Sequence, residues 1–178
     1  MNIAAIKKIN EKMPYWMKWP FSKMIRKKLI KNQEFLNQYR KLMHADLMSE
    51  EAKNKIQVEM LKQILVHAYY HTKFYRQSFD ELCIKPEDIQ EVGDLTKLPI
   101  LTKELVKVHY EDLQADNIYN SYEVSTGGTT GAPVRIAMEK DAIYREWAFV
   151  YHYWSKFGYD YRKSKLATFR GVDLGNKI

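Results

Sequence analysis

Apolar positions recur at helical spacing in two long stretches of the chain. Ile143, Trp147, Val150, Trp154 and Phe157 fall at i, i+4, i+7, i+11 and i+14, the steps of one helix face. Asp141 is placed to cap this helix and Gly158 to stop it with a left-handed residue, which predicts a helix over 141–157. Its aromatic residues are expected to serve as core. Upstream, Leu61, Ile64, Leu65 and Ala68 form a second stripe at i, i+3, i+4 and i+7. Ser49 can cap that helix, Glu50 and Glu51 suit its first turn, and it is predicted to run to about Tyr70. A shorter helical piece follows in "HTKFYRQSFDEL". Pro86 opens one or two further turns that Gly93 is expected to end, and Thr102 caps a short helix through Val108.

The period then changes from helix to strand. Tyr122 and Val124, then Val134, Ile136 and Met138, recur at every second position. This predicts a strand–loop–strand unit, its second strand half-buried. "SKLATFRGVDL" predicts a further strand through Phe169, with Gly171 opening a turn. No run approaches the roughly 18 apolar residues of a spanning helix. The lysines in "MNIAAIKKINEKM" interrupt any signal-peptide core.

Charge is unevenly placed. Residues 1–41 hold 11 Lys and Arg against 2 Asp and Glu, so the net charge of +7 belongs to this arm; the remainder is close to balanced. Residues 13–31 carry Trp16, Trp19 and Phe21, then a basic helical pattern. Met24, Ile25 and Leu29, with Phe35 and Leu36, form its apolar face, and Lys23, Arg26, Lys27, Lys28 and Lys31 occupy the rest. Two readings stand: the face packs on the protein's own body, or it makes peripheral contact with an anionic membrane surface. No nucleic-acid-reading motif accompanies the charge, so nucleic acid is not an expected partner. The single cysteine, Cys83, is expected to be a small buried or half-buried side chain in a reducing, cytoplasmic setting.

The candidate chemistry lies between the two predicted strands, in "STGGTTGAP". Gly127, Gly128 and Gly131 allow another group to approach the backbone closely, and inward-turned amides form an anion site. Ser125, Thr126, Thr129 and Thr130 add hydroxyl donors suited to phosphate oxygens. Pro133 stiffens the exit. The pattern lacks the lysine and following helix of the common nucleotide-triphosphatase loop. A hairpin without a ligand is the competing reading.

The stretch "STGGTTGAPVRI" resembles the phosphate-binding loop of adenylate-forming enzymes. Together with "LKQILVHAYYHTKFYRQSF" and "KPEDIQEVGDLTKLPILTKELV", in the same order, it is similar to the phenylacetate–coenzyme A ligase family, especially a CapK-like, capsular-polysaccharide branch. The resemblance implies an α/β fold, with a helical N-terminal region leading into the start of the large adenylate-forming domain. It divides the chain into a basic aromatic arm, 1–45, and an incomplete AMP-binding domain, 46–178. It implies ATP and a carboxylic acid as substrates, Mg²⁺, and coenzyme A as acceptor. Ser125, Thr126, Gly127, Gly128, Thr129, Thr130 and Gly131 would hold the phosphates. Many adenylating enzymes carry a lysine shortly after the loop's proline; here Val134 and Arg135 stand there, and Arg135 either supplies charge or faces solvent.

The family's later motifs, including those for adenine, ribose and magnesium and its C-terminal catalytic lysine, are not found. The expectation is therefore a truncated piece that is inactive alone, with apolar surface left uncovered on the helix at 141–157. A non-catalytic interaction or membrane-associated module of the same fold is the alternative. His67, Tyr70, Tyr75 and Arg76 are expected to fix the packing of two helices, and Lys97 and Lys103 to be surface charges. His109 and Tyr110 show no partner in sequence, and neither a metal-ligand cluster nor an oligomeric state can be read from it.

Overall fold

The computed structural model describes residues 13–126 and 133–166, apart from the Tyr15 side chain. It is predominantly helical with one two-stranded antiparallel sheet, an α/β chain as expected. Helices α1 (Tyr15–Ile30), α2 (Gln33–Ala45), α3 (Glu50–His71) and α4 (Lys73–Glu81) come first. Two 3₁₀ turns, Pro86–Asp88 and Val92–Lys97, and α5 (Lys103–Val108) lead to β1 (Ser121–Ser125), β2 (Arg135–Glu139) and α6 (Ala142–Ser155).

Local chemistry sets the boundaries. Asn32 Oδ1 accepts from the amides of Glu34 and Phe35 and so starts α2. Ser49 Oγ accepts from the Ala52 amide, and Thr102 Oγ1 from that of Leu105, where the sequence placed both caps. Thr72 serves two helices. Its amide and hydroxyl both donate to the Ala68 carbonyl at the end of α3, while the same hydroxyl accepts from the Tyr75 amide at the start of α4. Arg76 then reaches back to the carbonyls of Tyr69 and Tyr70, placing a cation against the negative end of the α3 dipole. Of the four residues expected to join these helices, Arg76 and half-buried Tyr75 do so through side chains. Tyr70 contributes its carbonyl, and the His67 ring lies 4.8 Å from that of His71.

Two apolar clusters hold the chain together. In the first, Phe35 from α2 is fully buried against α6 and the segment after it, with ring centroids 5.7 Å from Tyr151 and 5.3 Å from Tyr161. Leu29 and Ile30 of α1 join this cluster, so the basic helix packs on the body through its last turn. Asp46, just past α2, ties the same layer together. Lys156 and His152 both donate to its carboxylate, and these partners, Lys156 foremost, hold its pKa below the usual value. The second cluster gathers Leu65, Phe79 and Ile89 under α3 and α4.

α6 ends as predicted. Gly158 has φ +81°, its amide donates to Ser155, and the Tyr159 amide reaches back to Trp154. Five expectations are corrected. The Asp141 side chain makes no capping bond. The fully buried residues of α6 are Ala148 and Tyr151, which the predicted stripe does not include; Trp147, Val150 and Trp154 of that stripe pack half-buried on the same cluster, and Phe157 is exposed. Ile64 is exposed too, since the second cluster meets α3 along Leu61, Leu65 and Tyr69. Gly93 lies inside a 3₁₀ turn that continues to Lys97, held by the Asp94 carboxylate on the amides of Gln90 and Glu91.

Cys83 is the fifth: it is exposed, with φ +52°. It occupies the left-handed position that closes α4. Its amide donates to Asp80, that of Ile84 to Phe79, and Ile84 packs back on Phe79 within the second cluster. The predicted strand through Phe169 and the Gly171 turn lie outside the described residues, apart from 164–166, which form no strand.

Candidate functional site

The predicted strand–loop–strand unit is an antiparallel hairpin. Its register pairs Tyr122 with Met138, Val124 with Ile136, and Ser125 with Arg135. Beyond the last ladder pair, two reciprocal bonds close the base of the loop. The Thr126 amide donates to the Val134 carbonyl at 3.0 Å, and the Val134 amide donates to Thr126 Oγ1 at 3.1 Å. Val134 is buried, so this closure is shielded on one side. Thr126 therefore spends its hydroxyl as an acceptor within the hairpin. Ser125 ends β1 with its side chain exposed, on the same face as Arg135. Gly127, Gly128, Thr129, Thr130 and Gly131 lie outside the described residues.

The two faces of the hairpin differ. Tyr122 and Val124, in the extended piece expected there, are half-buried, and the Tyr122 hydroxyl donates to Met138 Sδ. On the second strand Val134 is buried and Met138 half-buried, as expected, but Ile136, across from Val124, is exposed, since no third strand covers it among the described residues.

On the opposite face Arg135 is neither a free charge nor simply solvated. Its guanidinium carbon lies 4.4 Å from the Tyr110 ring centroid, and Nη1 is 3.5 Å from Glu123 Oε2. The Tyr110 hydroxyl donates to the same carboxylate oxygen at 3.0 Å. Burial, then this bond to Glu123, raises the tyrosine pKa. The three side chains brace both strands against the segment after α5. Sequence offered no signal for the trio beyond the proximity of Glu123 to Arg135 across a predicted hairpin.

Other links fix the hairpin to its neighbours. Glu139 Oε2 accepts from Arg145 of α6 at 2.5 Å, and Arg145 also lies 4.0 Å from Glu34 of α2. The Lys140 amide and ammonium both bond Asn120, closing the open end. His109, also without a partner in sequence, sits 5.1 Å from the Phe74 ring and 3.6 Å from Asp112. Lys73 donates to Asp112, and this bond leads the effects that lower the aspartate's pKa. Lys97 pairs with Asp94 at 2.7 Å, and Lys103 is exposed, as surface charges should be. Among the described residues no acidic, histidine or cysteine cluster could hold a metal ion, and no helix is long and apolar enough to cross a membrane.

No protein-family model matches the chain. Individual proteins do. The chain is 32% identical over 90 residues to the phenylacetate–coenzyme A ligase of Escherichia coli (strain K12), a stretch that is 49% of this chain and 21% of that ligase. It is 31% identical over 111 residues to the ligase of the same name from Pseudomonas putida, covering 57% and 24% of the two chains. A third, from Thermus thermophilus, is 24% identical over 102 residues, 55% of this chain and 22% of the relative. The chain thus spans between a fifth and a quarter of the length of the curated relatives it matches. Over about half of its own length it is similar to phenylacetate–coenzyme A ligases.

Proposed function

We propose that this chain contributes the phosphate-gripping hairpin of an ATP-dependent, carboxylate-activating ligase of the phenylacetate–coenzyme A ligase type. The observation that supports the reading most directly is the closed base at Thr126 and Val134. It joins the two paired strands on either side of the stretch GGTTGAP, the setting the glycine-rich sequence requires.

In this reading the loop residues Gly127, Gly128, Thr129, Thr130 and Gly131, with Ser125 and Thr126, surround the ATP phosphates. Backbone amides supply the donors and the threonine hydroxyls follow the oxygens. Thr126 has a second duty: its bond to Val134 fixes the mouth of the loop, so its contribution to phosphate is expected through its position. Mg²⁺ would be shared with the phosphates. ATP and a carboxylic acid would give an acyl-adenylate and pyrophosphate, with coenzyme A as the acceptor. The residues described here hold and orient; Arg135, engaged with Tyr110 and Glu123, stabilises the hairpin. The CapK-like branch carries with it a link to capsular or surface polysaccharide biosynthesis and a cytoplasmic setting.

The test is calorimetric titration of the chain with ATP and with inorganic triphosphate, in the presence and absence of Mg²⁺. Binding of both by the wild type, and loss of both in Gly128→Val with an unchanged far-ultraviolet spectrum, is the expected outcome. Absence of binding by the wild type would sink the proposal. Pyrophosphate exchange with a panel of carboxylic acids then addresses the acid.

A further inference from the structure

Helix α1 presents a face that the ligase reading leaves without a task. Between Met13 and Lys31 there are six basic residues and no acidic one. The helix is oriented by its inner side. Leu29 and Ile30 pack into the first cluster, and the Arg26 guanidinium donates to the Tyr159 hydroxyl at 3.0 Å and to the carbonyls of Tyr161 and Ser164, each at 2.9 Å. These contacts lie at Arg26, Leu29 and Ile30, and in the first half of the helix Trp16 and Trp19 are 76% and 70% exposed, with Met24 56% exposed. Lys23, Lys27, Lys28 and Lys31 are exposed as well, and Lys23 Nζ sits 5.1 Å over the Trp19 ring.

Indoles with an apolar body and a polar N–H favour the boundary between headgroups and acyl chains. Lysine stems lie along apolar surface while their ammonium groups meet lipid phosphate. Single-stranded nucleic acid also uses aromatic and basic side chains, but it is held in a charged groove, whereas these side chains lie exposed on a single helix. We propose that the exposed surface of α1 docks on an anionic phospholipid bilayer, through Trp16 and Trp19 in its first half, Met24, and the lysines beside them. The inference goes beyond the ligase reading and does not rest on it.

Cosedimentation with phosphatidylcholine vesicles, with and without phosphatidylglycerol, tests it at low and high salt. The wild-type chain is expected to bind only the anionic vesicles and to be released by salt. Neutralising Lys23, Lys27 and Lys28 by Lys→Gln should weaken binding about fivefold per residue. Trp16→Ala with Trp19→Ala should weaken it about tenfold or more. Quenching of wild-type tryptophan fluorescence by brominated lipid supplies a check that needs no variant. Failure to bind anionic vesicles at low salt, equal binding to neutral ones, indifference to the lysine changes, or tighter binding to a single-stranded oligonucleotide each overturns the proposal. Gly128→Val should bind vesicles like the wild type, which separates this outcome from failure of the ATP reading.

Discussion

Thr126→Val removes one hydroxyl and keeps the β-branched shape that suits an extended backbone. The lost oxygen is the acceptor for the Val134 amide at 3.1 Å. A typical hydrogen bond contributes about 1 kcal/mol net, but a donor left buried without a partner costs about 1–3 kcal/mol. Val134 is buried but Thr126 beside it is exposed, which places the expected cost toward the lower part of that range. The reciprocal bond from the Thr126 amide to the Val134 carbonyl survives, so the hairpin should loosen at its mouth and not unpair. A cost of about 1.4 kcal/mol corresponds to roughly tenfold more frequent local opening.

Amide hydrogen exchange read by NMR measures this directly. The Val134 amide should exchange about tenfold faster in Thr126→Val, and Thr126→Ser should restore near wild-type protection because it keeps the acceptor. ATP affinity should fall in the valine variant and recover in the serine variant. Unchanged protection of Val134 in Thr126→Val would refute the closure described here, whatever happens to nucleotide binding.

Three further outcomes are expected. Phe35→Ala empties a fully buried site among Tyr39, Tyr151 and Tyr161 and should cost about 3–5 kcal/mol in urea unfolding; a loss below about 1 kcal/mol would show that α2 does not pack on α6 as described. Cys83→Gly relieves a left-handed residue at the end of α4 and should raise stability by about 0.5–1 kcal/mol in the same assay, and a decrease would contradict that geometry. Asp94, held at a pKa of about 2 by Lys97 and by the amides of Gln90 and Glu91, has a folded pKa below its unfolded value of about 3.9. Its contribution is therefore complete above about pH 4 and is lost as pH falls toward 2. An acid titration should show the loss in the wild type and not in Asp94→Asn.

Local signals in the sequence were reliable where the physics is local. Ser49, Thr102 and Gly158 act through bonds within a few residues of themselves, and each marks the helix end it was expected to mark. The alternation at Tyr122 and Val124 and the clustered glycines likewise placed the hairpin. What failed depends on distant neighbours. Phe35 is buried because α6, more than a hundred positions later, presents Tyr151 to it, and for the same reason the most deeply buried residues of α6, Ala148 and Tyr151, lie beside the regular stripe while Trp147, Val150 and Trp154 within it are half-buried. Ile64 and Ile136 are apolar and correctly spaced, yet nothing described packs over them. Cys83 misled because a left-handed helix end usually announces itself with glycine. Tyr110, Glu123 and Arg135 meet only after the hairpin has folded against the segment following α5.

The exposed sulfur that ends α4 has a practical side. It belongs to the only cysteine of the chain, so a maleimide dye or a spin probe will attach at one known point without any engineering. That point sits beside Phe79 and Ile84, where its signal will report fraying of the second cluster while the first stays silent. The same sulfur will couple two copies in air, so sedimentation and calorimetry need a reductant if the species measured is to be the single chain.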